Sequence, residues 1–173
     1  VENINQTIEV GTLRIYIGAA VGIALSLDGP EEPLRLLARA DAAEVARTAG
    51  FPFEICDLTV DFGEAVIEDF VAEHAAGRTP NPCARCNGEI KFGAFLRRAD
   101  ELGIDLVATG HYVRSEPRAD GGIHLLRGAD PAKDQTYMLH MLGQAQLGRS
   151  LFPVGGLTKA ETRRIAARFG LPV

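Results

Sequence analysis

Cysteine is scarce in this chain, with three residues in a length of 173, and the number is odd. This argues against the disulfide scaffold of a small secreted domain and favours a reducing, cytoplasmic setting. No apolar run approaches the roughly 20 residues that a membrane-spanning helix needs. The first ten residues also lack the basic region and apolar stretch of a signal peptide. We therefore expect a cytoplasmic protein that has no membrane partner.

Positive charge is not in excess, because 18 Lys and Arg residues stand against 23 Asp and Glu, giving a formal net charge of −5. Bulk charge therefore gives no argument for a nucleic-acid partner, although a local basic face is sufficient for one. The length and the apolar fraction of 46% are those of a soluble globular domain with a sizeable core.

Apolar and amphipathic stretches alternate along the chain. Short apolar runs typical of buried strands are followed by stretches whose apolar residues recur at helical spacing. This alternation predicts an α/β fold, a parallel sheet with helices on both faces. Ligands of such sheets bind beyond the carboxyl ends of the strands, and the loop after Thr109 and the cysteine-containing loop are both candidates for that edge. The predicted strands are 12–17, 20–27, 51–58 and 104–109, and the predicted helices are 31–49, 62–76 and 89–102.

The segment 78–92 reads R-T-P-N-P-C-A-R-C-N-G-E-I-K-F and carries two of the three cysteines. Two prolines flank Asn81 and restrict its backbone, so we expect a stiff loop that delivers Cys83 and Cys86 to the start of the next helix. The helix dipole favours the thiolate there, so the pKa of a thiol should fall and either cysteine is a credible nucleophile. Arg78, Arg85 and Lys91 would add to that effect.

A C-x-x-C pair also has other interpretations. It can be half of a zinc site, a redox pair or two ordinary buried cysteines. The remaining cysteine, Cys56, lies inside a predicted strand, and no second C-x-x-C follows. These alternatives stay open on local sequence alone.

Polar residues that suit ligand binding follow the strand predicted at 104–109. Gly110 allows the close approach of a ligand, and His111 donates or accepts a hydrogen bond near neutral pH, although a histidine that simply caps the strand is the commoner case. Lys133 and Gln135 offer contacts to phosphates and base edges, while Asp130 or Asp134 can cap a helix.

The last part of the chain has a basic predicted helix. Thr158 and Glu161 form the signature of a capping box, which predicts a helix over 158–169. Its arginines can face nucleic acid, but charge on an exposed helix face is usually only solvated surface. The basic residues of this helix are Lys159, Arg163, Arg164 and Arg168. Before it, the pattern predicts a β-hairpin from 112–116 and 123–127 and a helix over 135–142.

Four sequence motifs follow one another along the chain: T-P-N-P-C-A-R-C-N-G-E-I-K-F-G-A-F-L, A-T-G-H-Y-V-R, L-L-R-G-A-D-P-A-K-D-Q-T-Y-M-L and L-F-P-V-G-G-L-T-K. Together they resemble the tRNA-specific 2-thiouridylases of the PP-loop ATP pyrophosphatase superfamily. The resemblance implies a Rossmann-like fold of the adenine nucleotide alpha hydrolase type, incomplete at both ends. The family's S-G-G-x-D-S phosphate loop has no counterpart before Gly29. We therefore expect 1–30 to be an atypical segment in its place, and 31–173 to be the rest of a catalytic domain truncated before the family's central and C-terminal β domains.

The resemblance also implies roles for individual residues. Cys86 corresponds to the catalytic nucleophile, with Cys83 in a supporting role, and Gly110 to a residue that contacts the adenylate part of ATP. The residues expected at the target base are Asn81, Pro82 and Cys83, and those expected to contact tRNA elsewhere are His111, Lys133, Asp134 and Gln135.

The implied reaction is the 2-thiolation of the wobble uridine of tRNA. ATP, with Mg²⁺, would adenylate the C2 carbonyl oxygen, a cysteine persulfide would supply sulfur, and a partner thiol would resolve the bond as a disulfide. The sulfur would come from a sulfur-relay or cysteine desulfurase-type protein. Two alternatives remain: an inactive, non-catalytic tRNA-binding remnant, and a metal or iron–sulfur protein that uses the C-x-x-C.

Overall fold

The computed structural model describes residues 8–10, 13–16, 42–48 and 53–171. The predicted strand 20–27 lies outside the described residues. Of the predicted helix 31–49, the stretch 42–48 is described and is helical; we name it α1. The strand predicted over 12–17 is present as β2, Leu13–Tyr16.

Strand β2 belongs to a sheet in which four strands are described, in the order β1 (Ile8–Val10), β2, β3 (Leu106–Ala108) and β6 (Ser150–Leu151). β1 pairs with β2 in antiparallel fashion, whereas β2, β3 and β6 are parallel. The N–H of Thr109 continues the ladder by donating to the carbonyl oxygen of Leu151 at 2.9 Å. The predicted α/β fold with a parallel sheet is confirmed, and the carboxyl ends of β3 and β6 lie at one edge.

Two longer helices precede β3. In each, the middle stretch has the wider π-type hydrogen bonding, and a glycine with positive φ follows the last turn: Gly77 at 73° and Gly103 at 67°. The helices predicted over 62–76 and 89–102 are thus present, but both begin earlier than predicted. α2 comprises Thr59–Phe62, Gly63–Glu68 and Asp69–Ala75, and α3 comprises Pro82–Arg85, Cys86–Ala94 and Phe95–Glu101.

The predicted strand 51–58 is wrong as far as it is described, because 53–58 has no regular secondary structure. A strand exists only through the ladder it shares with a neighbour, and no described strand pairs with this run. Phe53 and Ile55 are 43% and 52% exposed, so the run is also not buried as predicted.

The hairpin is confirmed: β4 (Val113–Pro117) pairs with β5 (Ile123–Arg127). The helix predicted over 135–142 is wrong, since only a 3₁₀ turn, Thr136–Met138, forms there. The Asp134 carboxylate accepts hydrogen bonds from the N–H groups of Gly128 and Thr136 and from the Thr136 hydroxyl. Side-chain bonds to nearby backbone compete with helix formation in this way.

The chain then forms α4 (Gln144–Gly148), β6 and α5 (Lys159–Arg168). The predicted capping box is confirmed: Thr158 Oγ1 accepts from the N–H of Glu161 at 3.2 Å, and the Glu161 carboxylate accepts from the N–H of Thr158 at 2.7 Å. No helix in the described ranges is long and apolar enough to span a bilayer.

Helix α3 packs on two sides. One face joins the main core of α3, β3, β4 and the turn before α4, and the other faces α2. The α2 side is a small cluster of Phe62, Val66 and Ile90, which we call the α2–α3 cluster. The buried residues of the main core are Phe92, Leu96, Ala99, Ile104, Val107, Val113 and Leu139.

Candidate active site

Cys83 and Cys86 lie within the first turns of α3, not in a loop that precedes a helix. Asn81 caps the helix, with its side-chain oxygen accepting from the N–H of Ala84 at 3.1 Å, and Pro82 occupies the first helical position, which needs no N–H donor. Cys83 is exposed in the first turn, whereas Cys86 begins the second. Of the two thiols, Cys83 is therefore the one nearer the helix N-terminus.

The Cys86 side chain is half-buried and packs against the α2–α3 cluster. This burial raises the pKa of the thiol, because an apolar environment disfavours the thiolate, and nearby Lys91 offsets only part of the effect. The predicted fall in the thiol pKa is therefore wrong for Cys86 in this conformation. Two of the cations expected to assist are engaged elsewhere: Arg78 pairs with Glu73, and Arg85 with Asp69 and Glu89.

His111 lies beyond the carboxyl end of β3 and is buried, with 7% of its surface exposed. Its Nδ1 is 2.9 Å from Thr109 Oγ1, and its Nε2 is 3.3 Å from Asn87 Oδ1. The Asn87 amide nitrogen donates to the carbonyl oxygen of Met138 at 3.3 Å, which leaves Oδ1 to accept from His111. Nε2 therefore carries the proton and Nδ1 accepts from the threonine hydroxyl. Burial, with a smaller contribution from Lys91, lowers the pKa of His111 to about 4, so the ring is neutral at pH 7.

These contacts bring the cysteine helix to the edge of the sheet where ligands of such folds bind. Asn87 follows Cys86 directly, and its partner His111 follows Gly110. Gly110 is exposed, and a Cβ built on it would meet no atom within 4 Å. The open backbone at Gly110 and the cysteine turn therefore share one edge.

The three residues predicted to contact tRNA after β5 differ in their surroundings. Lys133 is exposed, and no acidic side chain of the described residues forms an ion pair with it. The half-buried Asp134 carboxylate is occupied by the turn described above. Gln135 is bound to Tyr112, whose N–H donates to Gln135 Oε1 at 2.9 Å. Lys133 is thus the one of the three whose side chain is open to solvent.

Asn87 received no role from the sequence, although it is 3% exposed and binds two partners. An amide on the buried side of an amphipathic helix is the signal that identifies it. Cys56 is half-buried and its thiol pKa is raised, first by burial. Within the described part of the chain, no group of three or more His, Cys, Asp or Glu side chains is placed to hold a metal ion.

A family profile described as the tRNA methyl transferase HUP domain matches residues 30–173. The chain belongs to this family. The tRNA-specific 2-thiouridylases of Geobacter metallireducens and of a Nocardioides species are each 56% identical to it over 133 residues, which is 77% of this chain and 36% of each relative. The Thermus thermophilus protein of that name is 53% identical over 132 residues, 76% of this chain and 35% of its own.

The resemblance to tRNA-specific 2-thiouridylases is thereby confirmed, and this HUP-domain family includes tRNA sulfurtransferases. The chain spans about a third of the length of these relatives.

Proposed function

We propose that this chain provides the cysteine and the nucleotide-facing edge of a tRNA 2-thiouridylase, which replaces the C2 oxygen of the wobble uridine with sulfur at the expense of ATP. The observation that carries the proposal is the hydrogen bond between Asn87 and His111. It joins the turn that bears Cys86 to the loop that bears Gly110. The thiol and the exposed backbone proposed to bind the nucleotide are thus each one residue away from this hydrogen bond.

In the first step, the uridine C2 oxygen attacks the α-phosphate of ATP and pyrophosphate leaves. This turns a carbonyl oxygen, which is a poor leaving group, into part of AMP. Gly110 is the residue for the adenylate, because its exposed backbone lets the nucleotide approach without meeting a side chain.

In the second step, a persulfide on Cys86, formed with sulfur from a donor protein, attacks C2 through its terminal sulfur and AMP departs. A second thiol then attacks Cys86 Sγ. The sulfur–sulfur bond to the substrate breaks, its electron pair stays on the transferred sulfur to form the thiocarbonyl, and a disulfide remains on the protein. Asn81, Pro82 and Cys83 precede Cys86 in this scheme and lie beside the target base.

The described conformation is not yet the reactive one. Cys86 lies against the α2–α3 cluster with a raised thiol pKa, which favours the neutral and unreactive form. We therefore expect substrate binding to withdraw the Cys86 side chain from that cluster.

Unpaired cations near α5 support tRNA as the substrate. Arg78, Arg85 and Arg97 before β3 form ion pairs with acidic residues. In contrast, the basic side chains of the α5 surface form none with acidic residues of the described ranges; these are Lys133, Lys159, Arg163, Arg164 and Arg168. A phosphate backbone is the partner that such a surface suits.

Asp130 links the turn that carries Lys133 to the start of α5, which carries the other four basic residues. Its backbone carbonyl accepts from the N–H of Lys133 at 3.1 Å, and its carboxylate accepts from the N–H of Lys159 at 3.0 Å. The Lys159 ammonium also lies 5.9 Å from the centre of the Tyr112 ring, and the Tyr112 hydroxyl is 3.1 Å from that of Thr162. The surface therefore reaches back to Tyr112, directly after His111.

A second candidate is a non-catalytic tRNA-binding module. The raised pKa of Cys86 favours it. It uses the same basic surface and predicts salt-sensitive tRNA binding without ATP turnover. The interpretation as a metal or iron–sulfur protein stays a prediction, which metal analysis of the purified chain tests.

The deciding experiment incubates the chain with an unmodified tRNA transcript, ATP, Mg²⁺ and a polysulfide, whose sulfane sulfur can load Cys86 as a persulfide, then digests the RNA for mass spectrometry. Formation of 2-thiouridine that needs ATP and is abolished by Cys86→Ser supports the proposal. Cys83→Ser is the matched control and should retain part of the activity. The mass also distinguishes replacement of oxygen by sulfur from addition of a methyl group. Intact tRNA binding with no product would favour the second candidate.

A further inference from the structure

We propose that Asn87, His111 and Thr109 form a positioning network that sets the location of the Cys86 side chain by tying the second turn of α3 to the loop after β3. The inference rests on the proposed function for the role of Cys86, but the contacts themselves are independent of it. Through this network, the position of the Cys86 thiol depends on the conformation of the loop that carries Gly110.

The three side chains form a continuous, buried chain of hydrogen bonds, from Thr109 through His111 to Asn87. Asn87, His111 and Thr109 are exposed by only 3%, 7% and 8%. Both polar atoms of Asn87 and both ring nitrogens of His111 have partners. Each of these buried polar atoms is satisfied by the neighbouring group, so each member holds the next in one orientation.

The network acts on Cys86 through the geometry of the helix. Consecutive residues of a helix point in different directions, and here Asn87 faces the loop after β3 while Cys86 faces α2. The Phe92 ring, further along α3, lies 5.6 Å from the His111 ring, between centres, and supports the same contact. If Asn87 is released, the turn is free to rotate and Cys86 leaves the α2–α3 cluster.

The loop end of the network surrounds the proposed nucleotide contact. Thr109 and His111 flank Gly110, so a ligand that moves the Gly110 backbone moves both of its neighbours. Asn87 and Met138 extend the network to the turn that follows Asp134. The structure thus assigns to His111 a positioning role toward Cys86 rather than a surface role.

The test is the alkylation rate of each cysteine, measured by iodoacetamide labelling and peptide mass spectrometry. Asn87→Ala and His111→Ala should speed Cys86 by roughly threefold to tenfold, the population change that corresponds to one net hydrogen bond. The exposed Cys83 should keep its rate. His111→Gln, whose carboxamide both donates and accepts, should restore part of the wild-type rate.

The controls separate positioning from general loosening. If Cys83, Cys86 and Cys56 all accelerate together and His111→Gln restores nothing, the network is only structural and the proposal is overturned. Unchanged Cys86 rates in folded variants overturn it too. Thr109→Val keeps the shape and removes the hydroxyl, so it provides the same test where His111→Ala does not fold.

A second arm adds ATP with Mg²⁺ to the wild-type chain and to His111→Gln and Thr109→Val. A change in the Cys86 rate that Thr109→Val abolishes supports both the network and the nucleotide role of Gly110. Variant effects without any response to ATP support the network and contradict the proposed function. A response to ATP that is the same in all three proteins overturns the coupling.

Discussion

The side chain of His111 shows how burial changes the chemistry of a single residue. A histidine after a strand can act as a base or contact a phosphate, but this one is held neutral by burial, with Lys91 nearby opposing its charge. Its ring therefore serves as a fixed donor and acceptor between Asn87 and Thr109.

Acid should destabilise the protein through His111. Its folded pKa of about 4 lies below the ordinary 6.5, so the unfolded chain binds a proton in this range while the folded chain does not. The stabilisation is complete above pH 6.5 and is lost as the pH falls toward 4, by roughly 3 kcal/mol at most. Urea unfolding at a series of pH values measures this. His111→Gln should flatten the slope.

Substitution by alanine should lower the stability at one of two neighbouring glycines and leave it nearly unchanged at the other. A Cβ on Gly155 would overlap the backbone carbonyl of Val113, whereas one on Gly156 would meet no atom within 4 Å. Gly155→Ala should therefore cost about 1–3 kcal/mol or more of unfolding free energy, and Gly156→Ala should stay within about 0.5 kcal/mol of wild type. Equal urea midpoints for the two variants would contradict the close backbone contact.

At the scale of elements, α3 connects the two packed regions of the described chain. Ile90 is fully buried on its α2 side, next to Cys86, while Val60 of α2 is 71% exposed. Truncation to alanine should thus change the unfolding free energy by very different amounts at these two positions.

Ile90→Ala should lower the unfolding free energy by about 2–5 kcal/mol, because it leaves a cavity in the α2–α3 cluster. It should also move the pKa of Cys86 back toward its ordinary value, since water reaches the thiol. Val60→Ala should change neither quantity measurably. Denaturant unfolding and titration of thiolate absorbance provide the two measurements, and a Cys86 pKa that stays raised in the folded Ile90→Ala variant would contradict burial as the cause.

The sequence predicts these elements unequally, for physical reasons. The spacing of Ile90, Phe92 and Phe95 predicts α3, because its apolar face is periodic. The helix starts earlier than that spacing predicts, since the capping Asn81 and the proline after it are a helix-start signal that is equally typical of a stiff loop. The run 53–58 is apolar enough for a strand, but pairing depends on a partner that local sequence does not reveal.

The site is predictable only in its parts. The four motif blocks give the family, and the roles that the resemblance implies for Cys86 and Gly110 stay predictions. The contact between Asn87 and His111 joins residues 24 positions apart, so only the packing of α3 on the sheet brings them together. The raised pKa of Cys86 likewise arises from Phe62 and Val66 of another helix, which no local pattern indicates.

At the scale of the whole molecule, the net charge is −5, but ion pairing of the basic side chains differs between regions. Guanidinium groups on α3 are paired with acidic side chains, whereas those on α5 form no ion pair within the described ranges. The two regions therefore differ in what they offer to a polyanion.

Replacing Arg163 and Arg164 together with Gln should weaken tRNA binding, because fewer phosphates are neutralised. The dependence of log K on log salt should fall by about 1 for each phosphate that the variant no longer neutralises. Arg97→Gln, at an exposed arginine already paired with Asp61, is the matched control and should have little effect. Binding titrations at several salt concentrations provide the test. Equal salt dependence in the double variant and the control would exclude α5 from the interface.

The pairing of Asn87 with Gly88 has a consequence for the chemical lifetime of the protein. Asparagine before glycine is the dipeptide most prone to spontaneous deamidation, because the glycine nitrogen attacks the carboxamide with little steric hindrance. Here the helix constrains that nitrogen, and the carboxamide is held by His111 and Met138. Slow conversion of Asn87 to aspartate or isoaspartate during storage would thus record how often this turn of α3, next to Cys86, opens.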